Sequence, residues 1–322
     1  MQQNGLRVSD DVVNFIAGCM RQSEAYFIAF ENAPLDISPL LLYYSSTNLF
    51  AGASALLTGV MPSVTVQHHG MIIDKNKATQ TVRIADVELK PVKPNQGALQ
   101  HFCNVFSIGC VIVNGGTWTV EEIFGSIPDL RQDFENCYQN SHPHTIPVQI
   151  VQRTIQNETF LHERVAQVDL ARFSSPLNAL NSVDQLTKAY LSPRYNTSAR
   201  YISLYYRRGA AKIGDYSIFG KKYLQVAHVK GGKSLTPTQS IIMFMGLYAL
   251  GHLSRYYPER WNPFIRSDDT GERLVVEKFL AICQRYLPNL ILNEIQRERL
   301  QFVHQTEEQV QILGTSSPGS PE

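Results

Sequence analysis

Apolar residues recur at helical spacing near the start of the chain. Val12, Val13, Ile16, Met20 and Phe27 follow Ser9 and Asp10, which suit an N-cap, and predict a first helix running to about Phe30. Pro34 ends the connection. A second helix is predicted from about Pro39, carrying Leu41, Leu42, Tyr44, Leu49, Phe50, Ala53, Leu56 and Leu57, with Gly59 as its stop. The small residues Ala51 to Ala55 would let another helix approach it closely. The period then shortens: Val64, Val66, Ile72, Ile73, Val82, Ile84, Val87 and Leu89, turning over Asp74 to Lys77, predict a β-hairpin. A short helix is expected over Trp118 to Ile123, capped by Thr117 or Thr119, and another over Pro128 to Tyr138. After the turn-rich Asn140 to Pro147, strands are predicted around Val148 and Ile150, Val165 to Leu170, Tyr201 to Tyr206, and Tyr223 to Val229. From Pro237 to about Ile312 the pattern is helical, with breaks at Pro258, Pro263 and Pro288. No repeat at a fixed period is present. This layout is α+β, helical at both ends with a β-rich middle, and it is expected as a single unit over 8–313 (helical 9–60, β-rich 64–230, helical 237–312). Gly314 to Glu322 has nothing to bury and is expected to be disordered.

Composition supports a protein with a substantial core. The 322 residues are 43% hydrophobic and 18% charged, with a net charge of +1. Five cysteines, at 19, 103, 110, 137 and 283, form neither a disulfide framework nor a metal-ligand spacing. The polar Met1 to Arg7 lacks the features of a secretory signal. The two most apolar stretches, Pro39 to Val60 and Ile241 to Leu253, are interrupted or too short to span a bilayer and predict buried helices. A cytoplasmic protein without membrane attachment, cofactor or bound metal is expected.

The near-neutral total conceals an asymmetry. Between Arg194 and Lys233, nine lysines and arginines face a single Asp215, so this segment carries +8 and the remainder −7. Tyr195, Tyr201, Tyr205, Tyr206, Tyr216, Phe219 and Tyr223 are interleaved with them. Cations that neutralise phosphates beside rings that stack on bases suit nucleic acid. The candidate contacts are Arg200, Arg207, Arg208, Lys212, Lys221, Lys222 and Lys233. An ordinary solvated face whose tyrosines pack inward fits the same composition.

Catalytic signatures are fragmentary. Ala227 to Ser234, AHVKGGKS, is one glycine short of a phosphate loop. No strand ending in Asp follows to hold magnesium, which favours a glycine-rich turn. His68, His69 and Gly70 fall where a strand should end; adjacent strand residues point to opposite faces, so one imidazole at most can face a given pocket. His142 and His144 lack partners at a zinc-ligand spacing. Arg299 and His304 form R-x-x-x-x-H on the predicted last helix, which resembles the signature of HEPN ribonucleases, although Leu300 stands where a polar residue is usual. In that resemblance Arg stabilises the developing charge on the scissile phosphate and His moves protons.

Two further segments carry a broader likeness. DISPLLLYYSSTNLFAGASALLTG (Asp36 to Gly59) followed by HHG (His68 to Gly70), and LYALGHLSRYYPERW (Leu247 to Trp261), resemble the YaaC-like family of bacterial proteins over about Phe15 to Leu292. The resemblance implies a bacterial cytosolic α+β protein and singles out Tyr43, Tyr44, Asn48, His69, Gly70, Arg255, Tyr256 and Trp261. It implies no activity, because none is firmly assigned to the family. Each of these residues also has a packing role open to it: Asn and Arg can tie helices together, and Tyr and Trp bury large areas. The leading expectation is an accessory protein that binds a macromolecular partner, nucleic acid through 194–233 or proteins of the same operon, within a multi-component system such as antiphage defence. The rival is a HEPN-like, metal-independent ribonuclease using Arg299 and His304.

Overall fold

The computed structural model describes residues 8–63, 68–73, 83–92, 97–106, 116–155, 158–170, 201–204, 215–230, 233–267, 270–297 and 299. Helix α1 (Asp10–Glu31) begins where Ser9 accepts the Val12 N–H, and α2 (Ser38–Thr58) stops at Gly59, which is left-handed at φ 72°. The two helices pack tightly: a Cβ at Gly52 would meet Met20 Cε at 2.7 Å and Cys19 Cβ at 2.9 Å, so the small-residue stripe of α2 receives α1.

Next come β1 (Met71–Ile73), β2 (Glu88–Pro91), α3 (Ala98–Phe106) and β3 (Trp118–Thr119), the strands forming an antiparallel sheet in the order β1-β2-β3. The expected pairing of Ile72 and Ile73 with the Leu89 segment is present, Ile73 opposite Leu89. Ile84, expected in a strand, lies in a 3-10 turn over Ile84–Asp86; Val64, Val66 and Val82 lie outside the described residues. Helix α4 (Val120–Gly125) starts later than predicted. Trp118 bridges to Leu89, and Thr119 closes a capping box with Glu122. A 3-10 turn, Pro128–Leu130, leads into α5 (Arg131–Cys137).

The second sheet joins β4 (Thr145–Ile155), β5 (Glu158–Ala166), β6 (Tyr201–Leu204), β7 (Asp215–Tyr216) and β8 (Lys222–Gln225) in the order β6-β5-β4-β8-β7. The strand predicted from Val165 ends at Ala166, and Val168 and Leu170 lie in a 3-10 turn. The run predicted as one strand from Tyr223 to Val229 is two, because β9 (His228–Lys230) pairs with β10 (Lys233–Leu235) instead. Helices α6 (Gln239–Tyr256), α7 (Pro258–Arg266) and α8 (Glu272–Gln296) complete the described chain. Pro258 starts α7, but Pro263 and Pro288 lie inside α7 and α8 rather than breaking them. The architecture is α+β, helical ends around a β-containing middle. The tail at 314–322 lies outside the described residues.

One buried apolar cluster runs from Leu42 to Ile291 and draws on α2 to α8 and the first sheet. Its centre is an aromatic knot: Phe50 lies 5.0 Å from Phe102, 5.2 Å from Phe106 and 5.3 Å from Phe244, ring centre to ring centre. Helix α6 is buried on nearly every side from Gln239 to Gly251, and only its last turns emerge.

Asp129 and Asp215 are pushed up to about 6 because burial disfavours the ionised form. At Asp129 this outweighs the Ile218 N–H that it accepts at 3.1 Å. A carboxyl whose folded pKa is raised stabilises the fold below its unfolded pKa, and loses that contribution as pH rises through the folded value. Asp129→Asn should therefore be more stable relative to wild type at pH 7 than at pH 5, measured by thermal unfolding. An equal or reversed difference would contradict this.

Candidate functional site

The last turns of α6 meet the first half of α2 at a cleft of about 230 Å³, counting the solvent at its mouth. Helix α6 supplies Tyr248, Gly251, His252, Arg255 and Tyr256, spaced i, i+3, i+4, i+7 and i+8, so they form one stripe. Leu40, Tyr43 and Tyr44 do the same on α2. The helices come this close because residue 251 is glycine: a Cβ there would lie 3.2 Å from Tyr43 Cβ and 3.4 Å from the Leu40 backbone.

His69 closes the third side. It is carried on a turn pinned from both flanks. The carbonyls of His68 and His69 accept the Ala98 and Leu99 N–H groups opening α3, at 2.8 and 3.2 Å, and the Gly70 carbonyl accepts from Val92 at 2.9 Å. Tyr248 Oη donates to the Met71 carbonyl at 2.7 Å, tying α6 to the same turn.

The side chains interlock. Tyr43, buried at the floor, hydrogen-bonds through Oη to His69 Nδ1. Burial raises the Tyr43 pKa, so its phenol stays protonated. A buried O–H needs an acceptor, and this assigns the proton on His69 to Nε2, on the far side of the ring. Burial, then the charge of Arg255 and the neighbouring His68, hold His69 below the ordinary histidine value. Arg255 donates from Nη1 to Tyr44 Oη at 2.5 Å, and its guanidinium carbon sits 4.9 Å from the centre of the Tyr256 ring. Tyr256 is 54% exposed. The lining thus presents one guanidinium, two imidazoles and four phenols, with no carboxylate among its described residues.

Five of the eight residues singled out in the sequence, Tyr43, Tyr44, His69, Arg255 and Tyr256, converge here, and Gly70 (φ 76°) supplies the turn that carries His69. Asn48 and Trp261 do not join them. Asn48 Nδ2 donates back to the Tyr44 carbonyl on its own helix at 2.9 Å, and Trp261 is buried with Nε1 donating to the Leu35 carbonyl at 3.2 Å. Tyr248, Gly251 and His252 were missed, although their spacing from Arg255 and Tyr256 is a signal written in the sequence.

The basic segment is redistributed. Arg200, Arg207, Arg208 and Lys212 lie outside the described residues. Lys221 is exposed. Lys222 is not: it is 2% exposed, with Nζ 2.6 Å from Glu163 Oε1, so its charge is satisfied inside the fold. Lys230 Nζ likewise lies 2.6 Å from Glu122 Oε1. Lys233 stands opposite Lys230 in the β9–β10 pair, so AHVKGGKS runs from one antiparallel strand into the next rather than from a strand into a phosphate-binding helix.

Arg299 is not on the last helix. That helix ends at Gln296, Arg297 turns left-handed at φ 56°, and the Arg299 guanidinium stacks 3.7 Å from the centre of the Tyr216 ring. His304 lies outside the described residues. The buried His228 is held well below the ordinary histidine value by desolvation, then by His144, whose ring centre is 4.2 Å away, and by Lys230; its Nε2 is 2.8 Å from Ser126 Oγ. Ser54 Oγ lies 2.5 Å from His101 Nε2, but Ser54 is fully buried and ties α2 to α3 rather than facing a substrate. Among the described residues there is no group of three or more metal-ligating side chains, and no helix is long and apolar enough to cross a membrane.

No curated protein and no solved structure matches the chain. The family model for the YaaC-like protein matches residues 8–295, a span that contains every residue lining the cleft. The chain belongs to the YaaC-like protein family.

Proposed function

We propose that this protein is an accessory binding module that engages a nucleic-acid strand, with the cleft between α2 and α6 as its anchoring point. The observation that carries this reading is Arg255. Its guanidinium is held by the Tyr44 hydroxyl and the Tyr256 ring at a mouth with no carboxylate among its described lining residues. A guanidinium fixed in this way is suited to a phosphate, with which it makes charge-assisted, often bidentate hydrogen bonds. The exposed Tyr256 offers a ring on which a base can stack. Lys222 and Lys230 are engaged by Glu163 and Glu122, so the reading moves from the basic run to the cleft.

The test is fluorescence anisotropy of labelled single-stranded RNA and DNA in EDTA at several salt concentrations. Salt-sensitive binding without cleavage is expected. Arg255→Ala should weaken it about tenfold, which corresponds to ~1.4 kcal/mol. Arg255 is exposed, so the variant should unfold at the wild-type temperature. Binding that Arg255→Ala leaves unchanged would overturn the reading, and so would cleavage abolished by His304→Ala.

A further inference from the structure

We propose that the cleft is a seat for a single phosphomonoester group, held between the Arg255 guanidinium and Nε2–H of His69. This rests on the nucleic-acid reading above and specifies which part of a strand enters: its phosphorylated end.

Three observations carry it. The first is size. The cleft is small and open at its mouth, unlike the ~300–1,000 Å³ pockets that enclose a whole small molecule, so it accepts one group rather than a nucleotide. The second is closure. The floor is made by the buried Tyr43 and Tyr248, whose hydroxyls are engaged by His69 and by the Met71 carbonyl. A strand threading through would need an exit on the far side, whereas a terminal group needs only the mouth. The third is the donor set. Arg255 supplies N–H groups beyond the one given to Tyr44, and His69 offers Nε2–H even when neutral, because Tyr43 occupies Nδ1. A phosphomonoester carries close to two negative charges at neutral pH and three acceptor oxygens, and matches these donors better than a singly charged internal phosphodiester does.

A strand end and a free nucleotide share this chemistry, and the experiment separates them. The full-length protein is titrated with three RNA oligonucleotides of one sequence, carrying a 5′-phosphate, a 3′-phosphate or hydroxyls at both ends. Inorganic phosphate and a nucleoside monophosphate serve as competitors. At least one phosphorylated oligonucleotide should bind about tenfold more tightly than the hydroxyl form. Arg255→Ala should abolish that preference, and Tyr44→Phe, which frees the guanidinium without removing it, should reduce it. Equal binding of all three oligonucleotides, still dependent on Arg255, overturns the terminal-phosphate seat and leaves the strand reading standing. Direct binding of phosphate or the monophosphate, followed by calorimetry and lost in Arg255→Ala, with no oligonucleotide bound, supports the seat and overturns the strand reading. No Arg255-dependent binding of any probe overturns both.

Discussion

Glu272→Ala is expected to destabilise the protein by about 3–5 kcal/mol, the range for leaving the partners of a buried charge uncompensated. Glu272 is the first residue of α8 and only 1% exposed. Its carboxylate accepts the Ile84 N–H at 3.0 Å and the Ala85 N–H at 3.2 Å, while Arg83 Nε lies 3.5 Å away. One side chain thus holds the 3-10 turn of the middle region against a helix nearly 190 residues later. Alanine leaves two buried N–H groups without acceptors, each costing about 1–3 kcal/mol. It also removes a negative charge from a helix N-terminus, where the helix dipole favours one. Glu272→Gln keeps the shape but sets an NH2 against one of those N–H groups, so it should lie between alanine and wild type. Urea unfolding measures all three. A loss below about 1 kcal/mol for the alanine variant would show that this carboxylate does not hold the two regions together.

Gly97→Ala should cost stability as well, and its effect should reach the cleft. Gly97 sits at φ 89°, a conformation that costs an L-residue about 1–3 kcal/mol. A Cβ there would also lie 2.6 Å from the Gly70 nitrogen and 2.8 Å from His68 Nδ1, closer than real Cβ contacts allow. The turn over His68 to Gly70 must then move, and it is the turn that delivers His69. We expect a combined loss of about 2–6 kcal/mol, since overpacking adds ~1–3 kcal/mol to the backbone strain. Oligonucleotide binding should fall even at temperatures where the variant remains folded. Full binding in a folded Gly97→Ala protein would mean that His69 does not depend on this turn.

The helical ends were legible because their signals are local. Ser9 and Gly59 mark the ends of α1 and α2 through hydrogen bonding and backbone geometry that involve only near neighbours. Pro263 and Pro288 misled for the complementary reason. A proline removes one intrahelical bond, and that local cost is outweighed by burial of the surrounding face, here Trp261 and Ile265 in α7, and Tyr286, Leu287 and Ile291 in α8. Trp118 was read as helical, but it pairs with Leu89 across some thirty residues of chain, which no local period reveals.

The same division governs the site. Tyr43, His69 and Arg255 were named individually, yet their meeting depends on α2 packing against α6, across roughly two hundred residues. The stripe Tyr248, Gly251, His252, Arg255 and Tyr256 was present as a period in the sequence; what the sequence did not show is that its last turn, with His252, Arg255 and Tyr256, emerges from an otherwise buried helix. The charge count erred in the opposite direction. It summed Lys222 into a basic surface, although Glu163 waits for it inside the sheet, 59 residues earlier in the chain. A count of charges carries no information about which way a side chain points.

The most direct test of the cleft as the anchoring point is to follow the ring resonances of His69 by NMR while single-stranded RNA is titrated in, assigning them by His69→Gln. The His69 signal should move with the binding isotherm, and the movement should disappear in Arg255→Ala. RNA that binds with the His69 resonance unmoved would place the contact elsewhere on the protein and contradict the account.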